Sequence, residues 1–166
     1  ISDWVGPYYF ATLCNASASI PYIECFEEVV LPFMPRCNAV ENSNDDEWQW
    51  ISSDSNPYSG ENHAVIEPNS AIQMDDWFFS PGLELEGGET YIVNFYYTSN
   101  SDSNSENLEV KFGTEANAAS MISEPIFEDM MFAYNNIYQL VNASFLPDED
   151  GTYYIGWHGF SNPGNW

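Results

Sequence analysis

Polar and apolar residues alternate along most of the second half of the chain, with the two-residue period of half-buried strands. Between Thr90 and Thr98 the order T-Y-I-V-N-F-Y-Y-T sets Tyr91, Val93, Phe95 and Tyr97 on one face. From Asn107 to Gly113, Leu108, Val110 and Phe112 point inward and Glu109 and Lys111 outward. From Gly151 to Gly159, Tyr153, Ile155 and Trp157 share one side, and Tyr154 and His158 the other. Tyr138 to Phe145 reads as a further strand. Turn signals punctuate these runs: Asn56-Pro57, Ser80-Pro81-Gly82, Gly87-Gly88, the polar tract from Ser99 to Ser105, and Pro147 to Gly151. Helix signals are scarce, and Ser120 to Asn135 fits either a short helix or a loop and strand. Many short strands separated by such turns predict an all-β fold, an antiparallel two-sheet jelly-roll sandwich.

Charge changes the picture. Twenty-six carboxylates face two fixed cations, Arg36 and Lys111, giving a formal charge of -24 over 166 residues. A chain this acidic with few aromatics stays disordered, but six Trp, eleven Tyr and eleven Phe supply a core. Such a surface repels nucleic acid and anionic membranes, both of which demand Lys and Arg. It attracts hard cations, calcium above all. No run of about twenty apolar residues predicts a membrane-spanning helix, so no membrane insertion is expected. The chain opens at Ile1 without a basic or apolar leader and stops at Trp166 within patterned sequence, which predicts a segment of a longer protein.

The residues by themselves leave the chemistry open. Cys14, Cys25 and Cys37 allow one disulfide and one leftover thiol in an extracellular chain. Cys25, between Glu24 and Phe26, reads as a small buried hydrophobe in a strand. Trp48, Trp50, Tyr58, Trp157 and Trp166 are candidates for a sugar-stacking platform, and Trp48 and Trp50 share a strand face by spacing. The same spacing describes a core. Catalysis finds little support. Glu84 and Glu86 precede the Gly87-Gly88 turn, Glu106 and Glu109 fall on opposite faces, and no Ser/His/Asp pattern is readable. The chain is not expected to be an enzyme.

Two resemblances sharpen this. Trp4-Val5-Gly6-Pro7-Tyr8-Tyr9-Phe10-Ala11-Thr12 resembles the last strand of a fibronectin type III domain, which assigns residues 1–13 to an upstream unit. Residues 14–166 carry Ile20-Pro21-Tyr22-Ile23-Glu24-Cys25-Phe26-Glu27, then Leu31-Pro32-Phe33-Met34-Pro35-Arg36-Cys37, Asp46-Glu47-Trp48, Asp75-Asp76-Trp77-Phe78-Phe79-Ser80-Pro81, and Gly151-Thr152-Tyr153-Tyr154-Ile155-Gly156-Trp157-His158. This order resembles the MAM-like, galactose-binding-type jelly rolls known as cleaved-adhesin or choice-of-anchor domains of Bacteroidota surface proteins. Cys25 stands where that family usually has Asn, and the family's closing strand is expected beyond Trp166 or from another chain.

The resemblance implies a noncatalytic, secreted module of a large bacterial cell-surface adhesin, acting in attachment or gliding and flanked by other domains of the same chain. It implies a Cys14–Cys37 disulfide with Cys25 free. It also implies a structural Ca2+, with Glu24 and Glu27 on the first strand, Asp46 and Asn62 as candidate ligands. The expected partner is a glycan or cell-surface ligand, met through Trp48, Trp50, Tyr58 and Trp157. The alternative is a carbohydrate-binding module of a secreted multidomain enzyme.

Overall fold

In a computed structural model the chain is described at residues 18–44, 46–121 and 124–164. The expected fibronectin-type strand at residues 1–13 lies outside those residues. Ten strands are present among the described residues: β1 (Ala39–Asn42), β2 (Ile51–Ser53), β3 (His63–Val65), β4 (Asp76–Phe79), β5 (Leu83–Leu85), β6 (Tyr91–Tyr97), β7 (Glu106–Gly113), β8 (Phe127–Phe132), β9 (Gln139–Phe145) and β10 (Gly151–Gly159). The one helical piece among the described residues is a single 3-10 turn, Ala118–Ser120. The fold is all-β and antiparallel, as the alternation predicts. The ambiguous stretch from Ser120 to Asn135 resolves into the end of that turn and β8.

The large sheet runs β1-β4-β10-β7-β8, with β5 also pairing β10; β6 pairs with β9, and β2 with β3. Strand β10 changes neighbour halfway. Residues Gly156 to Gly159 pair with β4, and Gly151 to Tyr153 pair with β5. Between them Pro81 has no N–H to offer a ladder. Ser80 fills the gap from both sides: its N–H donates to the Ile155 carbonyl and its hydroxyl accepts from the Ile155 N–H, each at 2.9 Å. This is the physical content of the Ser-Pro-Gly signal.

The inner layer is aromatic. Leu83, Leu85, Val110, Ile155 and Phe145 form its buried centre, with Tyr91, Val93, Phe95, Phe112, Tyr153 and Trp157 packed against it. Phe95 meets Phe127 and Trp157 edge-on at 5.5 and 5.9 Å, and Phe112 meets Phe145 at 4.7 Å. These contacts lock β6–β9 onto the large sheet, each ring burying a large apolar area. Leu108 and Val110 are buried as predicted.

Neither member of the predicted outward, exposed pair is exposed: Lys111 is half-buried, and Glu109 goes further. It does face away from the inner layer, but it is buried. Its register partner on β10 is His158, whose Nδ1 lies 2.9 Å from Glu109 Oε1. Lys111 Nζ lies 3.2 Å from the same oxygen. His158 also stacks flat on Trp77, with ring centres 4.1 Å apart, and its Nε2 meets Asp75 Oδ1 at 2.9 Å. The outer face of the large sheet is thus covered, with Trp77, Phe79 and Met121 buried beneath Ala116, Ala118 and Tyr154. The backbone N–H of Ala118 donates to Glu41 Oε2 at 2.8 Å and fixes that cover to β1.

Residues 20 to 36 overturn a second expectation. Glu24, Cys25 and Glu27 do not lie on a strand; the segment is a succession of bends and turns. Pro21, Pro32 and Pro35 remove donors from it, and Phe26 takes a left-handed φ of 62°. Cys25 is a free thiol, as expected, but it is exposed and not a core residue. No helix among the described residues is long and apolar enough to cross a membrane.

Candidate functional site

Two regions concentrate chemistry. The first is the acidic end of the large sheet. Asp76 begins β4, between Asn42 on β1 and Gly159 on β10. It shares the inner face with Phe78, two residues on. Asp76 is 1% exposed, and its Oδ1 has no hydrogen-bond partner among the described residues. Burial away from water raises its pKa to about 6, and the nearby Asp46 and Asp75 carboxylates push it the same way. A backbone N–H from Asp75 to Oδ2 at 3.3 Å offsets this only in part.

The Asn42–Trp48 loop is wound tightly beside it. Asn42 Oδ1 accepts from Asn44 N, Asn44 Oδ1 from Asp46 N, and Asp46 Oδ1 from Trp48 N. Asn42 Nδ2 donates to the Asp46 and Trp48 carbonyls at 2.9 and 2.8 Å. Asp46 and Asp75 lie near enough to Asp76 to act on its carboxyl, but Asp75 Oδ1 is turned to His158 Nε2 at 2.9 Å, and the three do not converge on one point. In the sequence Asp76 stands only within the Asp75–Pro81 motif, where nothing in the pattern marks it as buried.

The other expected metal ligands fall elsewhere. Both Glu27 carboxylate oxygens accept from the Glu61 N–H, at 3.0 and 3.1 Å, and Oε1 also accepts from Asn62 N at 3.3 Å. Gly60, at φ 71°, leaves the space this carboxylate fills. So Glu27 and Asn62 do come together, but with Glu27 docked on backbone amides. Glu24 accepts from Phe26 N and the Tyr22 hydroxyl at 2.7 and 3.1 Å. No group of three or more His, Cys, Asp or Glu side chains in metal-binding arrangement occurs among the described residues. Cys37 sits in a left-handed turn at φ 72°. Its expected partner Cys14 lies outside the described residues.

The second region is aromatic, and it differs from the expected platform. Trp157 belongs to the inner layer, 5.0 Å from Phe78. Trp50 packs against Phe78 as well, and its Nε1–H donates to the Asp76 carbonyl at 3.1 Å. Trp48 is exposed, and residues 48–50 precede β2 rather than sharing a strand face. Trp166 lies outside the described residues. Trp48, Trp50 and Trp157 therefore do not form one surface.

Tyr58 does belong to one, with residues the sequence did not single out. It comes from the loop between β2 and β3 and lies flat on Tyr96 of β6, ring centres 3.6 Å apart and planes 13° apart. Tyr138 packs edge-on to Tyr58 at 5.4 Å, and its hydroxyl donates to the Asn56 carbonyl at 2.9 Å. Asn56 Nδ2 donates to Asn136 Oδ1 at 2.9 Å. The loop is thus pinned at Asn56, two residues before Tyr58, through both its carbonyl and its side chain. Below them runs the outward face of β6–β9, with Ile92 opposite Ser144, Asn94 opposite Asn142, and Tyr96 opposite Leu140. All six are exposed, and none is charged.

No family model and no curated protein matches the sequence. Solved structures do match the fold. Two cleaved adhesin domains of Lys-gingipain from Porphyromonas gingivalis superpose with TM-scores of 0.63 and 0.56, at 17% and 20% identity. The matches cover 76% and 78% of this chain and 82% and 85% of those domains. A family 35 carbohydrate-binding module from Clostridium thermocellum matches at TM-score 0.50 and 8% identity, over 80% of this chain and 87% of the module. The chain therefore has the β-sandwich fold of cleaved adhesin domains and of carbohydrate-binding modules.

Proposed function

We propose that this chain is a noncatalytic, extracellular binding module of a bacterial surface adhesin of the cleaved-adhesin, MAM-like type, serving attachment. The observation that carries the reading is the outward face of β6–β9. In a chain with 26 carboxylates and a formal charge of -24, six exposed neighbouring residues of that face carry none. Exposed apolar surface is costly and is commonly an interaction site. The sandwich shared with adhesin domains and a carbohydrate-binding module supports the same class. The test is attachment of beads coated with the 166-residue chain to mucin-coated and polysaccharide-coated surfaces, with Ile92→Glu and Leu140→Glu alongside. Attachment lost in both variants, with no release of reducing ends from the polysaccharides, supports the reading. Attachment by neither wild type nor variant, or cleavage of the polysaccharide, overturns it.

The same proposal includes a structural Ca2+, held at the Asp46 and Asp76 end rather than by Glu24 and Glu27. The support is the buried Asp76 oxygen without a donor beside two further carboxylates. A bound calcium would neutralise that end of the sheet and fix the Asn42–Trp48 loop. A Cys14–Cys37 disulfide, a place among other domains of a long secreted chain, and a part in gliding belong to the proposal on the strength of the sequence resemblance.

A further inference from the structure

The stacked tyrosines stand over the one uncharged strip described above, and their geometry suits a particular ligand. Tyr58 is half exposed although it lies flat on Tyr96 and meets Tyr138 edge-on, so part of the ring is open to solvent. Tyr138 and the Asn56–Asn136 bond hold the loop that carries it, so the ring is presented without further ordering. Beside it the strip alternates apolar and amide groups: Ile92 and Leu140 at 60% exposure each, and the Asn94–Asn142 pair between them. From Ile92 to Tyr96 the strip spans about 13 Å, at a strand rise of ~3.3 Å per residue.

We propose that this strip, with Tyr58 at its head, binds a neutral oligosaccharide. The inference rests on the reading of the domain as a binding module and names the ligand class and place. A sugar ring has an apolar C–H face, which suits the exposed part of the Tyr58 ring, and a rim of hydroxyls. Asn amides answer hydroxyls as both donor and acceptor. Anionic glycans are disfavoured by the acidic surroundings. A second copy of the chain is disfavoured for the same reason, since two molecules of charge -24 would have to meet. A protein partner would bury the flat strip but has no special use for paired amides flanked by a half-exposed ring.

The experiment is calorimetric titration of the 166-residue chain with a soluble neutral β-glucan, a neutral mannan and polygalacturonate. Tyr58→Ala, Asn142→Ala and Trp48→Ala are titrated in parallel, with melting temperatures taken to show that each folds. The expected result is binding of a neutral polysaccharide, weakened about tenfold or more in Tyr58→Ala and Asn142→Ala and unchanged in Trp48→Ala. Equal binding in all variants moves the site elsewhere and overturns the inference, leaving the module reading intact. Binding of polygalacturonate alone overturns it too. If no polysaccharide binds but bead attachment to mucin is still lost in Leu140→Glu, the ligand class is wrong and the module reading stands. A dimer in sedimentation that Leu140→Glu dissolves assigns the strip to a second copy instead. Failure of both titration and attachment removes the inference and the reading together.

Discussion

At the scale of single residues, Asp76 is a costly placement. A carboxylate 1% exposed, with one oxygen undonated and two acids beside it, disfavours its own ionised form. The sign follows directly. The folded pKa, about 6, is above the usual carboxylate value, so the folded state holds its proton longer than the unfolded chain. In EDTA, stability is therefore greatest below about pH 4 as far as Asp76 is concerned, and it declines as pH rises toward 6, by roughly 3 kcal/mol at ~1.4 kcal/mol per pH unit. Asp76→Asn removes the charge and keeps the shape. In EDTA at neutral pH it is expected to melt several degrees higher than wild type, and to gain nothing from calcium. Wild type is expected to gain on the order of 5 °C from calcium beyond an ionic-strength-matched NaCl control. Thermal unfolding in EDTA, magnesium and calcium decides it. A wild-type melting point that ignores calcium ends the metal proposal.

At the scale of elements, the joints between strands depend on a few side chains that replace backbone partners. Ser80 is one. Ser80→Ala leaves the buried Ile155 N–H without its acceptor, an expected loss of about 1–3 kcal/mol in urea unfolding. Ser80→Thr keeps the hydroxyl and is expected to lose less. The turn at Gly60 is another. Gly60→Ala places a methyl at φ 71° where the Glu27 carboxylate sits, so it is expected to cost about 1–2 kcal/mol. Glu27→Ala in the same background tests the cause: the penalty of the methyl shrinks once the carboxylate is gone. The strands themselves were legible from sequence where one face meets the aromatic layer, as for Tyr91, Val93, Phe95 and Tyr97. They were not legible between residues 20 and 50. There Glu24, Phe26 and Glu27 mimic a strand, while prolines and a left-handed Phe26 make it a turn-rich wrap. Periodicity reports faces, and a wrap that has no regular face escapes it. The candidate site escaped for a related reason: Tyr58, Tyr96 and Tyr138 are joined by tertiary folding alone, and only Tyr58 had been singled out. For Trp50 and Trp157 the sequence leaves platform and core both open, because composition and spacing carry no information about depth.

At the scale of the whole molecule, a dense aromatic interior is set against a shell of like charges. Phe79 lies at the centre of that balance, fully buried between Trp77 and the Met121 cover. Phe79→Ala is expected to cost about 3–5 kcal/mol, enough to leave the domain largely unfolded in dilute buffer and to be partly rescued by salt. Chemical denaturation in low and high NaCl measures both effects. Salt has a second meaning here because of the bare strip on β6–β9. Screening acts on the acidic shell and so on folding, whereas a surface without charges has nothing for ions to screen. Grip and endurance should then answer to separate variables: dilution of the medium would loosen the fold while the strength of each intact contact stayed constant. A surface built from many such modules would lose hold in fresh water by having fewer of them folded, and regain it in brine, with the contact itself never retuned.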